Sequence, residues 1–324
     1  MSRHLSLPKY YISLVFISFL STKALAVGNC SIPEHLSGHI ILDSKCSYDG
    51  NIVITESNTT LNCNNAMINS SGFKDGIVIS SEGKDTNNIK IKNCTIINAE
   101  DSGVRVSWLG KDTSKTGLPD RYLRTPHNIT LDNLKIFNSG KNGIFIDDYS
   151  SLVTITNSTI KNSGATAIYI EHDSKKNIIE NNFFGNNGFK NGRPSREAIA
   201  IDSSQKNTII GNIFESNGKG GVFVYKNCSE KIHSGNQEIR KMHADFNIIR
   251  DNVFINKKIG VWLASRQGKN LKNMDCGDES IDGAGMYYKD FADNNLVTNN
   301  TFNVVGKPII DNGKDNRIID NIIK

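Results

Sequence analysis

The sequence predicts an all-β protein, a parallel β-helix solenoid with an N-terminal cap and several long loop insertions. Three observations lead there. An Asn-bearing phrase recurs through most of the 324 residues. Each repeat holds two short alternations of apolar and polar residues, the period of a strand. The repeating unit is also too short for a pair of helices. Composition agrees, since 27 Gly, 6 Pro, 37% hydrophobic and 22% charged residues exclude collagen, a disordered tail and a Cys-dense miniprotein.

The elements follow in chain order. Arg3 and Lys9 precede an apolar run at 10–20, and Ala24, Leu25 and Ala26 supply small residues for cleavage, so residues 1–26 read as a signal peptide. Its removal leaves 298 residues and, with the loss of Arg3, Lys9 and Lys23, lowers the formal charge from +5 to +2. A near-neutral chain has no bulk attraction for nucleic acid or an anionic membrane, so an anionic partner must be held by a local cluster. No later stretch is long and apolar enough to span a bilayer, and a periplasmic or secreted monomer is expected. All 6 Cys lie beyond the leader. An even count in an exported chain favours disulfides, and the lack of any CxxC pair disfavours zinc. Cys30 and Cys46 can staple a cap over 27–57. Cys63 and Cys94 can pair or stay as buried thiols, and a bridge between Cys228 and Cys276 would tie two long insertions together.

From 58 to 324 the repeat governs. Its phrases end at Asn93, Asn133, Asn157, Asn182, Asn212, Asn252, Asn300 and Asn321, with Cys63 in the corresponding place of an earlier copy. The shorter spacings, 21 to 25 residues, define the unit, and the longer ones carry insertions. Stacked coils would pair each strand with its equivalent about 4.8 Å away, bury Ile and Val in continuous columns, and line up the Asn amides along the stack. These Asn are therefore expected to be structural. The pattern resembles the right-handed pectate-lyase-like β-helix superfamily over 58–324. That resemblance implies a right-handed coil and, in its carbohydrate-active members, lyase, epimerase or hydrolase activity on polysaccharides.

The second strand of each coil carries the candidate chemistry. Period-two alternation in 103–108, 143–148, 167–172, 198–203, 221–226 and 260–265 sends pairs such as Val104/Val106 and Ile144/Ile146 inward. The first outward column is then Arg105, Phe145, Tyr169, Ala200, Phe223 and Trp262. The next is Ser107, Asp147, Glu171, Asp202, Tyr225 and Ala264, with Asp148, His172, Lys226 and Arg266 just beyond. An aromatic column beside a titratable one suits a carbohydrate platform. Arg105, Phe145, Tyr169, Phe223 and Trp262, with Arg196 from an insertion at 189–196, are the expected substrate contacts. Insertions at 111–123, after Lys226 and after Arg266 leave from the same strand end and would wall a groove.

Asp147, Glu171 and Asp202 fall on consecutive coils, hence about 5 Å and about 10 Å apart. Like charges that close need a cation or a proton. Bound Ca²⁺ is one answer, neutralisation by His172, Lys226, Arg105 or Arg266 a second, and acid/base chemistry of the kind paired carboxyls perform in glycosidases a third. No cofactor is required on this reading, and Ca²⁺ at these three carboxylates is the metal it admits.

Such a groove suits an acidic, uronate-containing polysaccharide such as alginate. β-Elimination needs the uronate carboxylate neutralised, a base for the C5 proton and an acid for the departing oxygen. Arg266 or Arg105 can neutralise, Lys226 or His172 can serve as base, and Tyr225, Tyr287 or Tyr288 as acid. Lys226 is favoured because it ends its strand at the expected groove floor. The segments 220–228 and 287–295 are similar to β-helix alginate lyases, which implies a Lys and Tyr pair. The alternatives are a hydrolase built on Asp147, Asp148, Glu171 and Asp202, a uronan C5-epimerase, and a non-catalytic glycan-binding β-helix.

Overall fold

The computed structural model describes residues 28–109, 116–228, 239–255, 258–274 and 276–324. The expected signal peptide lies outside the described residues, as do parts of the insertions at 111–123 and after Lys226. Short strands separated by turns stack coil on coil into three long parallel sheets of eleven, ten and nine strands. The first runs from Gly28–Cys30 to Ile322–Ile323, the second from His39–Ile41 to Arg317–Ile319, and the third from Ile52–Ile54 to Lys307–Asp311. Among the described residues the only helix is the single turn Asp120–Leu123. Within the segment expected as a cap, 27–57, the described residues contribute rungs: His39–Ile41, Cys46–Asp49 and Ile52–Ile54 each join one of the three sheets. Stacking is therefore under way before residue 58, and Cys30 is bridged to Cys46 within it.

The core is the inside of the coil. Val104, Ile144, Ile168, Ile199, Val222 and Val261 pair rung upon rung in the nine-stranded sheet, and all are fully buried. Phe184, Phe214, Phe254 and Phe302 stack beside them with ring centroids 5.1, 4.6 and 4.9 Å apart, within the range of favourable aromatic pairs. A Cβ on Gly221 or Gly260 would run into the rings of Phe254 or Phe302, so glycine at these two places is what lets the strand close over the stack.

The Asn ladder exists, and Asn133 donates to Asn93 at 2.8 Å as expected, but these early Asn sit one residue before the later ones. Asn182, Asn212, Asn252, Asn300 and Asn321 donate amide to carbonyl along the stack at 3.0 Å per step. Strand register pairs Asp132 with Thr156 and Thr156 with Glu180, so Asn133 and Asn157 align with Asn181, one residue earlier. Asn93, Asn133 and Asn157 sit at φ of 56°, 52° and 51°, left-handed turn positions that Asn tolerates. The ladder place in those coils belongs to Cys94, Leu134 and Ser158, and Cys94 is bridged to Cys63. The Asn that open the same phrases form a second ladder, Asn177, Asn207, Asn247, Asn295 and Asn316. These amides satisfy the buried backbone of sharp corners that apolar side chains would leave unpaired.

Candidate functional site

The outward column of the nine-stranded sheet is in the expected register: Arg105 beside Phe145, then Tyr169, Ala200, Phe223 and Trp262 on successive strands. It is less open than expected, with Ala200 and Phe223 buried and the others half-buried. The side chains cover one another. Phe145 stacks on Tyr169 at 5.5 Å, Arg105 lies over Phe145 at 4.8 Å, Arg196 over Tyr169 at 5.2 Å, and Phe223 meets Trp262 edge-on at 5.3 Å. Cation–π contacts of this kind hold a guanidinium in place with its charge still available.

At the Trp262 end the column opens into a cavity of about 180 Å³. Among the residues lining it are Arg196, Tyr225, Trp262 and Arg266, which the sequence singled out, and Glu197, Lys219 and Lys269, which it did not. Arg196 donates to the Tyr225 hydroxyl at 2.9 Å and to Glu197 at 3.1 Å. Arg266 lies over the Tyr225 ring at 4.8 Å, and its backbone N–H donates to Asp290 at 2.7 Å. Burial raises the Tyr225 pKa, and Arg196 offsets this only in part, so the phenol keeps its proton. Lys269, at the rim, is held below the ordinary amine range by partial burial and by the Arg266 and Lys219 charges. The Trp262 indole N–H is buried and has no hydrogen-bond partner among the described residues.

At the other end lies a buried acid cluster. Asp202, wholly buried, accepts from the Tyr169 hydroxyl at 2.7 Å and from Arg240 at 2.8 Å on one oxygen, and from the Ser203 hydroxyl at 2.9 Å and the Asn227 N–H at 3.0 Å on the other. Burial pushes its pKa up, but Arg240, Arg266 and these hydrogen bonds outweigh it and leave the carboxyl below its ordinary range. Glu171 pairs with the same Arg240 at 2.8 Å. Asp147 pairs with Arg105 at 3.3 Å; burial, Asp148 and Glu171 push its pKa up to about 8. His172 reaches Asp148 at 2.9 Å and Asp147 at 3.8 Å. Burial disfavours its charge, but Asp148 and Asp147 prevail and bring its pKa to about 9. Asp147, Asp148 and His172 are near enough together to share an ion. Of the Asp147, Glu171 and Asp202 set expected for Ca²⁺, Glu171 and Asp202 share Arg240 between them.

Three expected catalytic residues lie away from the cavity: His172 is held in the acid cluster, and Lys226 and Tyr288 are elsewhere. The Lys226 ammonium is buried and bonds to the Cys276 carbonyl at 2.8 Å and to the Asp278 carboxylate. It is not part of the cavity lining, although burial lowers its pKa to about 8. Tyr288 packs against the buried cluster of Cys228, Leu271 and Cys276. Cys228 and Cys276 are bridged as expected; Lys226 bonds to the Cys276 carbonyl and Tyr288 packs against the cluster that holds the bridge. Of the residues missed, Glu197 and Lys219 lie just before the apolar starts of strands already aligned, and Lys269 lies three residues past Arg266. Extending the alignment by a few positions at each strand end would have found them. Arg240 lies far inside an insertion, where no register exists to read.

A family model described as a right-handed β-helix region matches residues 121–243. The chain folds as a right-handed parallel β-helix. No curated protein matches it. Among solved structures, this β-helix is similar to an alginate lyase from Paenibacillus sp. str. FPU-7, with a TM-score of 0.53, 14% identity, and 90% of this chain and 92% of that one covered. It is similar also to the A-module of the mannuronan C-5 epimerase AlgE4 from Azotobacter vinelandii, at 0.51 and 13%, covering 89% of both chains. A third likeness is to the GH136 lacto-N-biosidase from Eubacterium ramulus, at 0.52 and 16%, covering 86% of this chain and 45% of that one. At such identities the likeness establishes the coil, and the side chains must carry any functional argument.

Proposed function

We propose that the protein is an exported carbohydrate-active enzyme that cleaves an acidic, uronate-containing polysaccharide by β-elimination, with the Trp262 cavity holding one sugar of the chain. The carrying observation is the charge of the lining. Arg196, Lys219, Arg266 and Lys269 face a single carboxylate, Glu197, which is already paired with Arg196. Such a surface favours an anionic ligand, and half-buried Trp262 offers a sugar a ring face. Its about 180 Å³ is smaller than the roughly 300–1,000 Å³ of a whole-ligand pocket, which fits a subsite along a longer groove. Three disulfides suit an oxidising compartment.

In the proposed reaction the Arg266 guanidinium pairs with the uronate carboxylate and stabilises the charge that develops when the C5 proton leaves. Lys269, whose pKa lies below the ordinary amine range, takes that proton. The C4–O bond then breaks as the C4–C5 double bond forms, and Tyr225 donates its proton to the departing oxygen. Lys226 no longer suits the base, because its ammonium is spent on Asp278 and the Cys276 carbonyl. Hydrolysis would need two free carboxyls flanking the bond, and the cavity offers none.

The test incubates purified protein with alginate, pectate and glycosaminoglycans and follows the ultraviolet absorbance of unsaturated ends. Absorbance that grows with time on one of these and is lost in Arg266→Ala supports elimination. New reducing ends without absorbance would mean hydrolysis, C5 proton exchange without cleavage would mean epimerisation, and binding without change would mean a lectin-like role; each overturns the lyase reading.

A further inference from the structure

We infer that Arg240 is a built-in cation that takes the place of a divalent metal between Glu171 and Asp202, so that this face of the β-helix is charge-balanced without calcium. The inference stands apart from the reaction proposed above. Acidic side chains on successive rungs must be neutralised, and a metal is the usual candidate where oxygens converge. Here the guanidinium already bridges them, with one nitrogen 2.8 Å from Glu171 and another 2.8 Å from Asp202. Arg240 is only 7% exposed, so the contact is not a mobile surface pair.

The remaining coordination space is also spent. Calcium asks for six to eight oxygens at about 2.3–2.6 Å, but both Asp202 oxygens already take two hydrogen bonds each, from Tyr169, Arg240, Ser203 and Asn227. The third carboxylate of the column, Asp147, has its own cations in Arg105 and His172. Arg240 also belongs to the insertion that follows Cys228, and two residues on the Met242 N–H donates to Asp173 at 2.9 Å. Docking of the chain at Arg240 and Met242 and neutralisation of the acid column are therefore a single event, with a planar two-pronged cation doing what a point charge on a longer tether would do less well.

The experiment uses the full chain and reads thermal midpoints in EDTA and in Ca²⁺, together with terbium luminescence. The wild type should melt at the same temperature in both solutions and show no saturable terbium signal that depends on Glu171. Arg240→Ala should melt about 5–10 °C lower, as expected for a buried charge pair stripped of one partner, and should regain part of the loss in Ca²⁺ or in millimolar guanidinium ion. Should that variant not fold, Arg240→Lys supplies the comparison, with a smaller loss of midpoint and the same direction of rescue by guanidinium ion. A wild-type midpoint that rises in Ca²⁺ and ceases to do so in Glu171→Gln would overturn the inference. So would an Arg240→Ala protein that melts like the wild type, or one that neither cation rescues.

Discussion

Two stretches of one sheet face, built from the same alternating strands, end in opposite chemistry. Over the rungs of Asp147, Glu171 and Asp202 the acids are buried and each has a cationic partner. Over the rungs of Tyr225 and Trp262 the cations are in surplus around an opening. The strand pattern cannot produce this difference, because both stretches place the same columns outward. What differs is the chain that covers them: one insertion lays Arg240 across the acids, while another brings Arg196 and Glu197 to the edge of the cavity. A solenoid supplies positions, and its insertions decide which positions stay available for ligand.

Asp202→Ala breaks the comparison on the acid side and should have the largest effect. It leaves Arg240 buried with half its partners, at a cost of about 3–5 kcal/mol in chemical denaturation, and any loss of activity should track loss of fold. Arg266→Ala does the reverse. Its melting should fall less than that of Asp202→Ala, while kcat/KM on a cleaved uronan falls about 100-fold or more, the signature of a charge used on substrate. Tyr225→Phe sharpens the contrast. It removes the proposed proton donor and the acceptor of the Arg196 bond, so activity should drop at least about 100-fold for a stability cost near 1 kcal/mol.

The smallest effect is a slope with pH. Asp147 goes from an ordinary 3.8 to about 8 on folding, and His172 from 6.5 to about 9. Both folded values lie above the unfolded ones. The stability these groups contribute is therefore complete below their unfolded values and is lost as pH rises through about 8 and about 9. Urea midpoints should fall between about pH 5 and about pH 9, and Asp147→Asn should flatten the decline. An unchanged slope in that variant would show that Asp147 is not what titrates.

Most of the coil was legible in the sequence, and the site only in part. Strand period and the spacing of the Asn phrases correctly placed Phe145, Tyr169, Phe223 and Trp262 on one face, because stacking rungs leave each side chain only two directions. The phrases were less informative about register in the early coils. Two Asn adjoin at 181–182 and at 299–300, and only backbone pairing shows that the turn position and the ladder position are separate places. Arg240, Lys226 and Tyr288 were unreadable for another reason. Each depends on where an irregular insertion folds back, and a length of insertion carries no period from which a contact can be counted.

Fluorescence offers the most direct test of the central claim that the Trp262 cavity is an anionic-sugar subsite. The protein has 2 Trp, and Trp108 is buried at 2% exposure, so a ligand in the cavity should report through Trp262. Titration with a short oligouronate should change the emission saturably, a neutral oligosaccharide of equal length should not, and Trp262→Phe should abolish the response. An equal response to both sugars, or one that survives Trp262→Phe, would contradict the account.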